Sequence, residues 1–307
     1  MQTKHQIQEL LSSAGVSPNR RLGQHFLVDL NLMRLLIDSA QLRRDDVVLE
    51  VGCGTGSLTQ ALVEQAGAVV AVEIDRTLAS VAESQLAGRQ NVRIINDDIL
   101  SGKGTLNPAV VEALEQARAQ VEAIGPMRRG AAASPGRLLL VSNLPYDVAS
   151  PVMVNLAKGP AVGDAMFVTV QREVAERMTA GPGSRDYGTL SIFLQAAGEV
   201  EILRLLRPSV FWPPPNVDSA LVRFVRDERK SRQIEDMAIL SDVVGLFMGH
   251  RRKMLRACIK SVAPHLGDPA LWLRILDQHA IDPTLRPGEL TPAQYVELAN
   301  ACRHSTR

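Results

Sequence analysis

Five short apolar runs alternate with helix-like segments between Asp45 and Gln171, and this alternation limits the possible folds more than any other feature. The runs are rich in Val, Ile and Leu at consecutive positions, which is typical of strands buried on both faces of a parallel sheet. They are DVVLEVG, AVVAVEID, NVRIIN, LLLVSN and AMFVTVQ, and SLTQALVEQA, RTLASVAESQL and SPVMVNLAK between them have helical periodicity. The order predicts an α/β fold with a doubly wound, mostly parallel sheet.

The end of this sheet and the start of a second domain are marked by a change in composition. Two more strand candidates, Val200–Leu206 and Ser219–Val225, extend the sheet, with an antiparallel addition at its edge. A charged run, DERKSRQIED, follows, and the segment Glu235–Cys302 then has helical periodicity. The predicted domains are an N-terminal arm at residues 1–29, a sheet domain at 30–228 and a small helical domain at 229–307.

The composition is that of a globular protein, with 46% hydrophobic and 22% charged residues. No apolar run approaches the roughly 18–20 residues that cross a bilayer, and the first residues lack the apolar core of a signal peptide, so we expect a cytoplasmic protein without membrane contact. Cys53, Cys258 and Cys302 have no metal-ligand spacing, and we expect no metal. Because 34 basic residues balance 33 acidic ones, any nucleic-acid surface must be local.

A glycine-rich loop, Glu50–Gly56, follows the first strand and opens a helix. Glycine at such a turn lets the backbone approach a ligand without interference from a Cβ atom. Glu73 ends the next strand, and an acid about 20 residues after such a loop can accept hydrogen bonds from both ribose hydroxyls of a nucleoside cofactor. Asp97 and Asp98 end the third strand at the same edge, where one of them can accept a hydrogen bond from an adenine amino group.

The spacing of the glycines decides between two classes of cofactor. A dinucleotide fingerprint reads G-x-G-x-x-G, whereas this loop reads G-x-G-x-G, with Ser57 at the position of the third glycine. The more compact E-x-G-x-G-x-G resembles the first motif of S-adenosylmethionine-dependent methyltransferases. A dehydrogenase is the alternative at the level of the fold, and tight binding of a nicotinamide dinucleotide would favour it.

The tetrad Asn143-Leu144-Pro145-Tyr146 ends the fourth strand at the same edge of the sheet. The amide oxygen of Asn143 and a backbone carbonyl of Leu144 or Pro145 can accept both N–H groups of an exocyclic adenine amine. Tyr146 can stack on a base that has left its helical stack. A sulfonium is a good electrophile, so no strong general base is needed and alignment is the main contribution. The tetrad therefore indicates methylation of an adenine amine.

These motifs together resemble the small-subunit ribosomal RNA adenine N6,N6-dimethyltransferases, with the antibiotic-resistance methyltransferases of large-subunit RNA as relatives. The resemblance spans RLGQHFLVD at 21–29, EVGCGTG at 50–56, Glu73, Asp98, NLPY at 143–146, QREVAER at 171–177, PGSRDYG at 182–188 and FWPPPNVDS at 211–219. It implies a Rossmann-like methyltransferase sheet and S-adenosylmethionine as cofactor. The implied reaction is dimethylation of two adjacent adenines in the 3′-terminal hairpin of 16S-type RNA during ribosome biogenesis. The implied partners are the small ribosomal subunit and its RNA, and we expect a monomer.

The resemblance also assigns roles to individual residues. The residues that would bind the cofactor are His25, Leu27, Gly52, Gly54, Glu73, Asp98 and Asn143. Family residues that match Gln24–Leu27 close over the methionine end of the cofactor, and Asn143–Tyr146 would hold the target base. Phe211 matches an aromatic that packs on the other face of that base, although it can also be an apolar plug between the sheet and the helical domain. The resemblance places the helix at Gln171–Arg177 near the RNA.

A basic segment lies between Val243 and Gly267, with five Lys and Arg residues and no acid. We predict that Arg251, Arg252, Lys253 and Arg256 bind RNA, and the family has a similar stretch. In the helix pair predicted here, Arg252 and Arg256 are i,i+4 neighbours on one face, which suits phosphate contacts. The alternative is a basic helix face that is balanced by acids elsewhere.

Three features depart from the family pattern: His25 stands where many members have Asn, Asp147 where the tetrad is often followed by Asn, and Ser101–Gly136 is much longer than usual. This insertion has a helix-compatible piece, AVVEALEQARAQVEAI, followed by the loop-like GPMRRGAAASPG. We interpret it as a passive surface insertion rather than a modifier of RNA access through Arg128 and Arg129.

Two alternatives to small-subunit dimethylation remain in view. The first is methylation of large-subunit RNA, against which the N-terminal arm and Arg286–Leu290 weigh. The second is a non-catalytic assembly factor that retains the cofactor pocket, against which the intact tetrad weighs.

Overall fold

A computed structural model describes residues 1–19, 23–102, 104–129, 136–159 and 161–306, with only the backbone of 124–129. The strands are β1 Phe26–Leu27, β2 Val47–Val51, β3 Ala68–Glu73, β4 Val92–Asn96, β5 Leu100–Ser101, β6 Thr105–Leu106, β7 Leu138–Asn143, β8 Ala165–Gln171, β9 Gly198–Leu206, β10 Phe211–Trp212 and β11 Ser219–Arg226. The helices are α1 Lys4–Ser13, α2 Leu30–Ala40, α3 Ser57–Gln65, α4 Arg76–Gln85, α5 Pro108–Arg129, α6 Ala149–Lys158, α7 Arg172–Thr179, α8 Thr189–Ala197, α9 Glu228–Gln233, α10 Met237–Met248, α11 Leu255–Cys258, α12 Pro269–Gln278 and α13 Pro292–Ser305.

The predicted α/β fold is confirmed by a seven-stranded sheet in the order β4-β3-β2-β7-β8-β11-β9. The five strands from β4 to β8 in this order are parallel, and β11 is antiparallel to β8, as predicted for an edge addition. Every residue of β2 and β3 is buried, which explains why these strands read as continuous apolar runs. The strand order reverses between β2 and β7, and ligands of open α/β sheets bind at the carboxyl ends of the strands at such a point.

The predicted insertion at 101–136 contains ordered secondary structure where the structure describes it. The short strands β5 and β6 pair, and α5 then packs against β2 and β3 through a buried stripe at Val110, Ala113, Leu114, Ala117 and Val121. The helix also includes residues 125–129, so the predicted start of a loop at Gly125 is wrong. Because helix formation is cooperative, α5 continues past Val121, the last residue of the stripe that packs on the sheet. The rest of the predicted loop, residues 130–135, lies outside the described residues.

The chain divides into two compact units, one of Met1–Ala175 with Glu201–Val225 and one of Glu176–Val200 with Arg226–Arg307. The second unit therefore includes Glu176–Val200, which the predicted boundaries assign to the sheet domain. This segment joins the helical unit because α8 packs on α13 and because the buried Tyr187 hydroxyl donates to the carbonyl of Leu290 at 2.8 Å. Among the described helices, none combines the length and the apolar character needed to cross a membrane.

Candidate active site

A cavity of about 270 Å³ lies at the carboxyl ends of β2, β3 and β7 in the first unit. It brings together most of the site residues predicted from the sequence: His25, Leu27, Gly52, Gly54, Glu73, Asp98, Asn143, Leu144, Pro145 and Tyr146 all line it. These residues are far apart in sequence, and they meet because parallel strands end at one edge of the sheet.

The glycine loop has a backbone that residues with a side chain rarely adopt. Gly52, Gly54 and Gly56 have φ values of 74°, 58° and 78°. A Cβ atom on Gly52 would lie 2.8 Å from Cγ of Pro145, and one on Gly54 would lie 3.0 Å from the ring of Phe26. Glycine is therefore required both by the conformation of the loop and by its contact with the tetrad.

Glu73 supports the glycine loop from the end of β3. Its Oε2 accepts a hydrogen bond from the Gly54 amide at 2.8 Å, and its Oε1 accepts one from the Asp75 amide at 2.9 Å. Burial raises the pKa of Glu73, against the effect of these two amides. Each carboxylate oxygen has a further lone pair, so the predicted contact with a ribose is compatible with these hydrogen bonds.

Glu50 is a second buried acid at the cavity, and the sequence marked it only as the start of the loop motif. Its side chain is 2% exposed, and its Oε2 has no hydrogen-bond partner among the described residues. Burial raises the pKa of Glu50 to about 8, with the neighbouring Glu73 adding to the rise and the Thr59 hydroxyl opposing it. An unpartnered carboxylate oxygen at a cavity is a natural partner for a cationic group of a ligand.

The acidic pair that follows β4 forms the rim of the cavity. Oδ1 of Asp98 accepts a hydrogen bond from the Leu100 amide at 2.9 Å, and Oδ1 of Asp97 accepts one from the Asp98 amide at 2.8 Å. Both residues are exposed, so other acceptor positions face solvent. Ile74 follows Glu73 in the chain, is 51% exposed and also lines the cavity. It offers an apolar face for a flat ring, and no pattern in the sequence predicted it.

The tetrad is held by hydrogen bonds from two directions. Nδ2 of Asn143 donates to the carbonyl of His25 at 2.8 Å, and Oδ1 accepts a hydrogen bond from the Thr169 hydroxyl at 2.5 Å. The carbonyl of Pro145 accepts a hydrogen bond from the Val148 amide at 3.3 Å. These contacts fix the amide of Asn143 at the wall of the cavity.

Tyr146 and His25 lie side by side, with ring centroids 5.8 Å apart and planes tilted by 32°. The Tyr146 hydroxyl is within 3.0 Å of Oγ of Ser219, and burial raises the pKa of this phenol. Nδ1 of His25 lies 2.6 Å from the carbonyl of Pro213. A carbonyl can only accept, so in the neutral ring this nitrogen has the proton and Nε2 is unprotonated.

Phe211 is not among the described residues that line the cavity, and its predicted contact with a target base stays a prediction. The side chain is 3% exposed and packs in the core with Leu27 and Leu206. Alternate residues of a strand face opposite sides, so Phe211 of β10 enters the core while Trp212 stacks on Phe26, with ring centroids 6.2 Å apart. The buried residues that cluster with Phe211 all belong to the sheet unit.

The N-terminal residues contact the glycine loop, a relationship that the sequence did not predict. Gln2 is buried, and its amide nitrogen Nε2 donates to the carbonyl of Thr55 at 3.1 Å. The Thr55 hydroxyl donates back to Oε1 of Gln2 at 2.6 Å, and the backbone amide of Gln2 donates to the Ser57 hydroxyl at 2.8 Å. The predicted N-terminal arm thus supports the start of α3.

The basic segment of the second unit differs from the predicted helix pair. The helix α10 ends at Met248 and α11 begins only at Leu255, so Arg252 lies in the turn between them and the predicted i,i+4 face is wrong. The chain is held in this turn because the Leu255 and Arg256 amides donate to the carbonyls of Leu285 and Pro283.

The side chains of this segment fall into two groups. Nη2 of Arg251 donates to the carbonyls of Ser184 and Arg185 at 2.9 and 2.8 Å, so this guanidinium fastens a neighbouring loop. Arg252, Lys253 and Arg256 are exposed. Within the part of the chain that the structure describes, no cluster of three or more His, Cys, Asp or Glu side chains is arranged to hold a metal ion.

Comparisons with known proteins identify the family of this chain. The family model "Ribosomal RNA adenine dimethylase" matches residues 15–301. The chain is 33% identical to ribosomal RNA small subunit methyltransferase A of Geobacillus sp. (strain WCH70) over 303 residues, which are 98% of this chain and 97% of that protein. It is 37% identical to the protein of the same name from Levilactobacillus brevis over 286 residues, 92% of this chain and 89% of that one.

Two solved structures share the fold. A dimethyladenosine transferase from Plasmodium falciparum has a TM-score of 0.66 at 22% identity, with 89% of this chain and 96% of that chain covered. The 23S rRNA methyltransferase ErmE has a TM-score of 0.58 at 23% identity, with 91% of this chain and 99% of that chain covered. At these identities the two structures support the fold alone.

The raised pKa of Glu50 predicts a pH-dependent loss of stability. The folded protein binds the Glu50 proton with a pKa of about 8, while the unfolded chain binds it near the ordinary value, so the free energy of unfolding should fall as the pH rises between these values. The fall should be about 1.4 kcal/mol for each pH unit in that window. Glu50→Gln, which does not titrate, should lack this contribution. Urea unfolding at pH 6 and pH 8 gives the change in the free energy of unfolding for the unmodified protein and for Glu50→Gln. The same change in both proteins would contradict the prediction.

Proposed function

The chain belongs to the ribosomal RNA adenine dimethylase family, and we propose that it transfers methyl groups from S-adenosylmethionine to N6 of two adjacent adenines in the 3′-terminal hairpin of small-subunit RNA. This reaction takes place during ribosome biogenesis, in the cytoplasm. The observation that supports it most is the amide of Asn143, which is fixed at the wall of the same cavity as the glycine loop and Glu73. The names of the relatives, ribosomal RNA small subunit methyltransferase A, favour the small subunit over the large one.

The residues at the cavity fit S-adenosylmethionine. Glu73 would accept hydrogen bonds from the ribose, Asp98 would accept one from the adenine amine, and Ile74 offers the adenine an apolar face. The glycine loop leaves space that a Cβ atom would fill, and the unpartnered Oε2 of Glu50 suits a ligand with positive charge. When bound, the cofactor supplies a methyl carbon whose bond to sulfur breaks as the amine nitrogen attacks it.

The tetrad would bind and orient the target adenine. The amide oxygen of Asn143 accepts one N–H of the amine, and a backbone carbonyl of Leu144 or Pro145 accepts the other. Tyr146 stacks on the base, which is extruded from its helix. The two acceptors align the nitrogen lone pair with the methyl carbon, and the amine proton leaves to solvent after transfer.

The first test is the modified nucleoside itself. The purified protein is incubated with labelled S-adenosylmethionine and unmethylated small subunits, and the digested RNA is analysed by mass spectrometry. We expect N6,N6-dimethyladenosine at two adjacent positions, and Asn143→Ala should reduce its formation by about 100-fold, as for removal of one preorganised polar group from an active site. Label confined to large-subunit RNA would contradict the proposal, as would cofactor binding without transfer.

Cofactor binding should release protons through Glu50. At pH 7 its carboxyl group is mostly protonated, because its pKa is about 8, and the positive charges of S-adenosylmethionine would lower that pKa. We expect up to about one proton to be released on binding at pH 7. Calorimetric titrations in phosphate and in Tris, whose ionisation enthalpies differ, measure this number. Glu50→Gln should bind with the same heat in both buffers, and a buffer-independent heat for the unmodified protein would contradict the prediction.

We propose that the exposed cations of the basic segment bind phosphate groups of the RNA. Each of Arg252→Ala, Lys253→Ala and Arg256→Ala should weaken binding of small subunits and lower the slope of log K against log [salt] by about 0.7–0.9. Arg274→Ala, which removes an exposed cation from α12 of the same unit, is the matched control. Equal salt slopes for all four variants would contradict this assignment, and cofactor affinity should not change in any of them.

A further inference from the structure

Thr169 lies directly behind the amide that the proposed reaction uses. It is 1% exposed on β8 and is paired in register with Asn143 of β7. Its hydroxyl donates to Oδ1 of Asn143 at 2.5 Å. The described residues that line the cavity include Asn143 but not Thr169, so the hydroxyl can act on a bound base only through Asn143.

The second contact of Asn143 decides which way its amide faces. Nδ2 lies 2.8 Å from the carbonyl oxygen of His25, and that oxygen can only accept a hydrogen bond. The NH2 group must therefore face His25, and the amide oxygen must face the Thr169 hydroxyl. A flipped amide would bring two oxygens together at His25, so the orientation follows from the hydrogen-bond network.

The two contacts leave one acceptor position on the amide oxygen. A carbonyl oxygen has two lone pairs, and the Thr169 hydroxyl occupies one of them. The remaining lone pair is available to a ligand in the cavity. Rotation about the last torsion of an asparagine is broad, so a single contact at Nδ2 restricts the direction of this lone pair only weakly. The hydrogen bond from the Thr169 hydroxyl to Oδ1 is the second contact, and together the two contacts define the direction of the free lone pair.

We propose that Thr169 is a positioning residue for methyl transfer, which holds the Asn143 amide so that its free lone pair meets one N–H of the target amine. This inference rests on the proposed function. In the transfer, the N–C bond forms as the C–S bond breaks with its electron pair staying on sulfur, and the proton leaves the nitrogen to solvent. The hydroxyl of Thr169 keeps its own proton throughout and takes part in neither bond.

Thr169→Val tests the inference because it replaces the hydroxyl by a methyl group and keeps a β-branched residue in the strand. It also keeps the backbone carbonyl that accepts a hydrogen bond from the Leu144 amide at 3.1 Å. We expect kcat for methylation of small subunits to fall by about 3- to 10-fold, the range for loss of one neutral hydrogen bond, with KM for S-adenosylmethionine within about 2-fold. Thr169→Ser, which restores a hydroxyl, should recover most of the loss.

Two further measurements separate positioning from general damage to the fold. Ser39→Ala removes a hydroxyl that donates to the Leu35 carbonyl on α2, and it should leave kcat unchanged. In the Asn143→Ala background, Thr169→Val should have no further effect on the residual rate, because the two residues act as one unit. Thr169→Cys, with only a weak donor, provides a second variant with the same expected loss if Thr169→Val does not fold.

The inference would be overturned by an unchanged kcat in Thr169→Val, by a Thr169→Ser variant as slow as Thr169→Val, or by the same fold-loss with and without Asn143. These outcomes differ from failure of the proposed function, in which the unmodified protein itself forms no dimethyladenosine on small subunits.

Discussion

The contact between Gly52 and Pro145 is the constraint on which the site depends. The strands β2 and β7 are parallel neighbours, so the loops that follow them leave the sheet side by side. A Cβ atom on Gly52 would lie 2.8 Å from the Pro145 ring, and the glycine loop and the tetrad therefore share one wall. The reaction needs a methyl donor and an acceptor amine within a few ångströms, and this contact provides that proximity through the backbone.

Two buried acids at this wall, Glu50 and Glu73, are unfavourable for the stability of the fold. Burial raises the pKa of both Glu50 and Glu73, and one oxygen of Glu50 has no partner among the described residues. Buried polar groups usually have hydrogen-bond partners, and Oε2 of Glu50 is an exception at the place where a charged ligand would bind. Glu73 is different, because the Gly54 and Asp75 amides hold its two oxygens before any ligand arrives. Glu73 thus holds the loop in its conformation, whereas Glu50 has an unpartnered oxygen that a positively charged ligand would neutralise.

The sequence predicted those parts that depend on local pattern and on the common edge of a parallel sheet. The apolar runs identified the strands because both faces of β2 and β3 are buried, and the motif residues converge because their strands end together. The position of Phe211 depends on the pairing of β1 with β10, which cannot be read from either segment alone. The turn at Arg252 depends on hydrogen bonds to a loop about 30 residues later in the chain. The buried position of Gln2 likewise depends on a hydrogen bond to Thr55, which is far from it in sequence.

Residues outside the tetrad determine where the amide of Asn143 points. The carbonyl of His25 and the hydroxyl of Thr169 each bind one atom of the Asn143 amide, and neither belongs to the motif that identifies the reaction. A motif can therefore be intact while its geometry is lost. Since a small displacement of an aligned group lowers a rate strongly, the proposed transfer would depend on the support of Asn143 by β8 and by the N-terminal segment as much as on the tetrad.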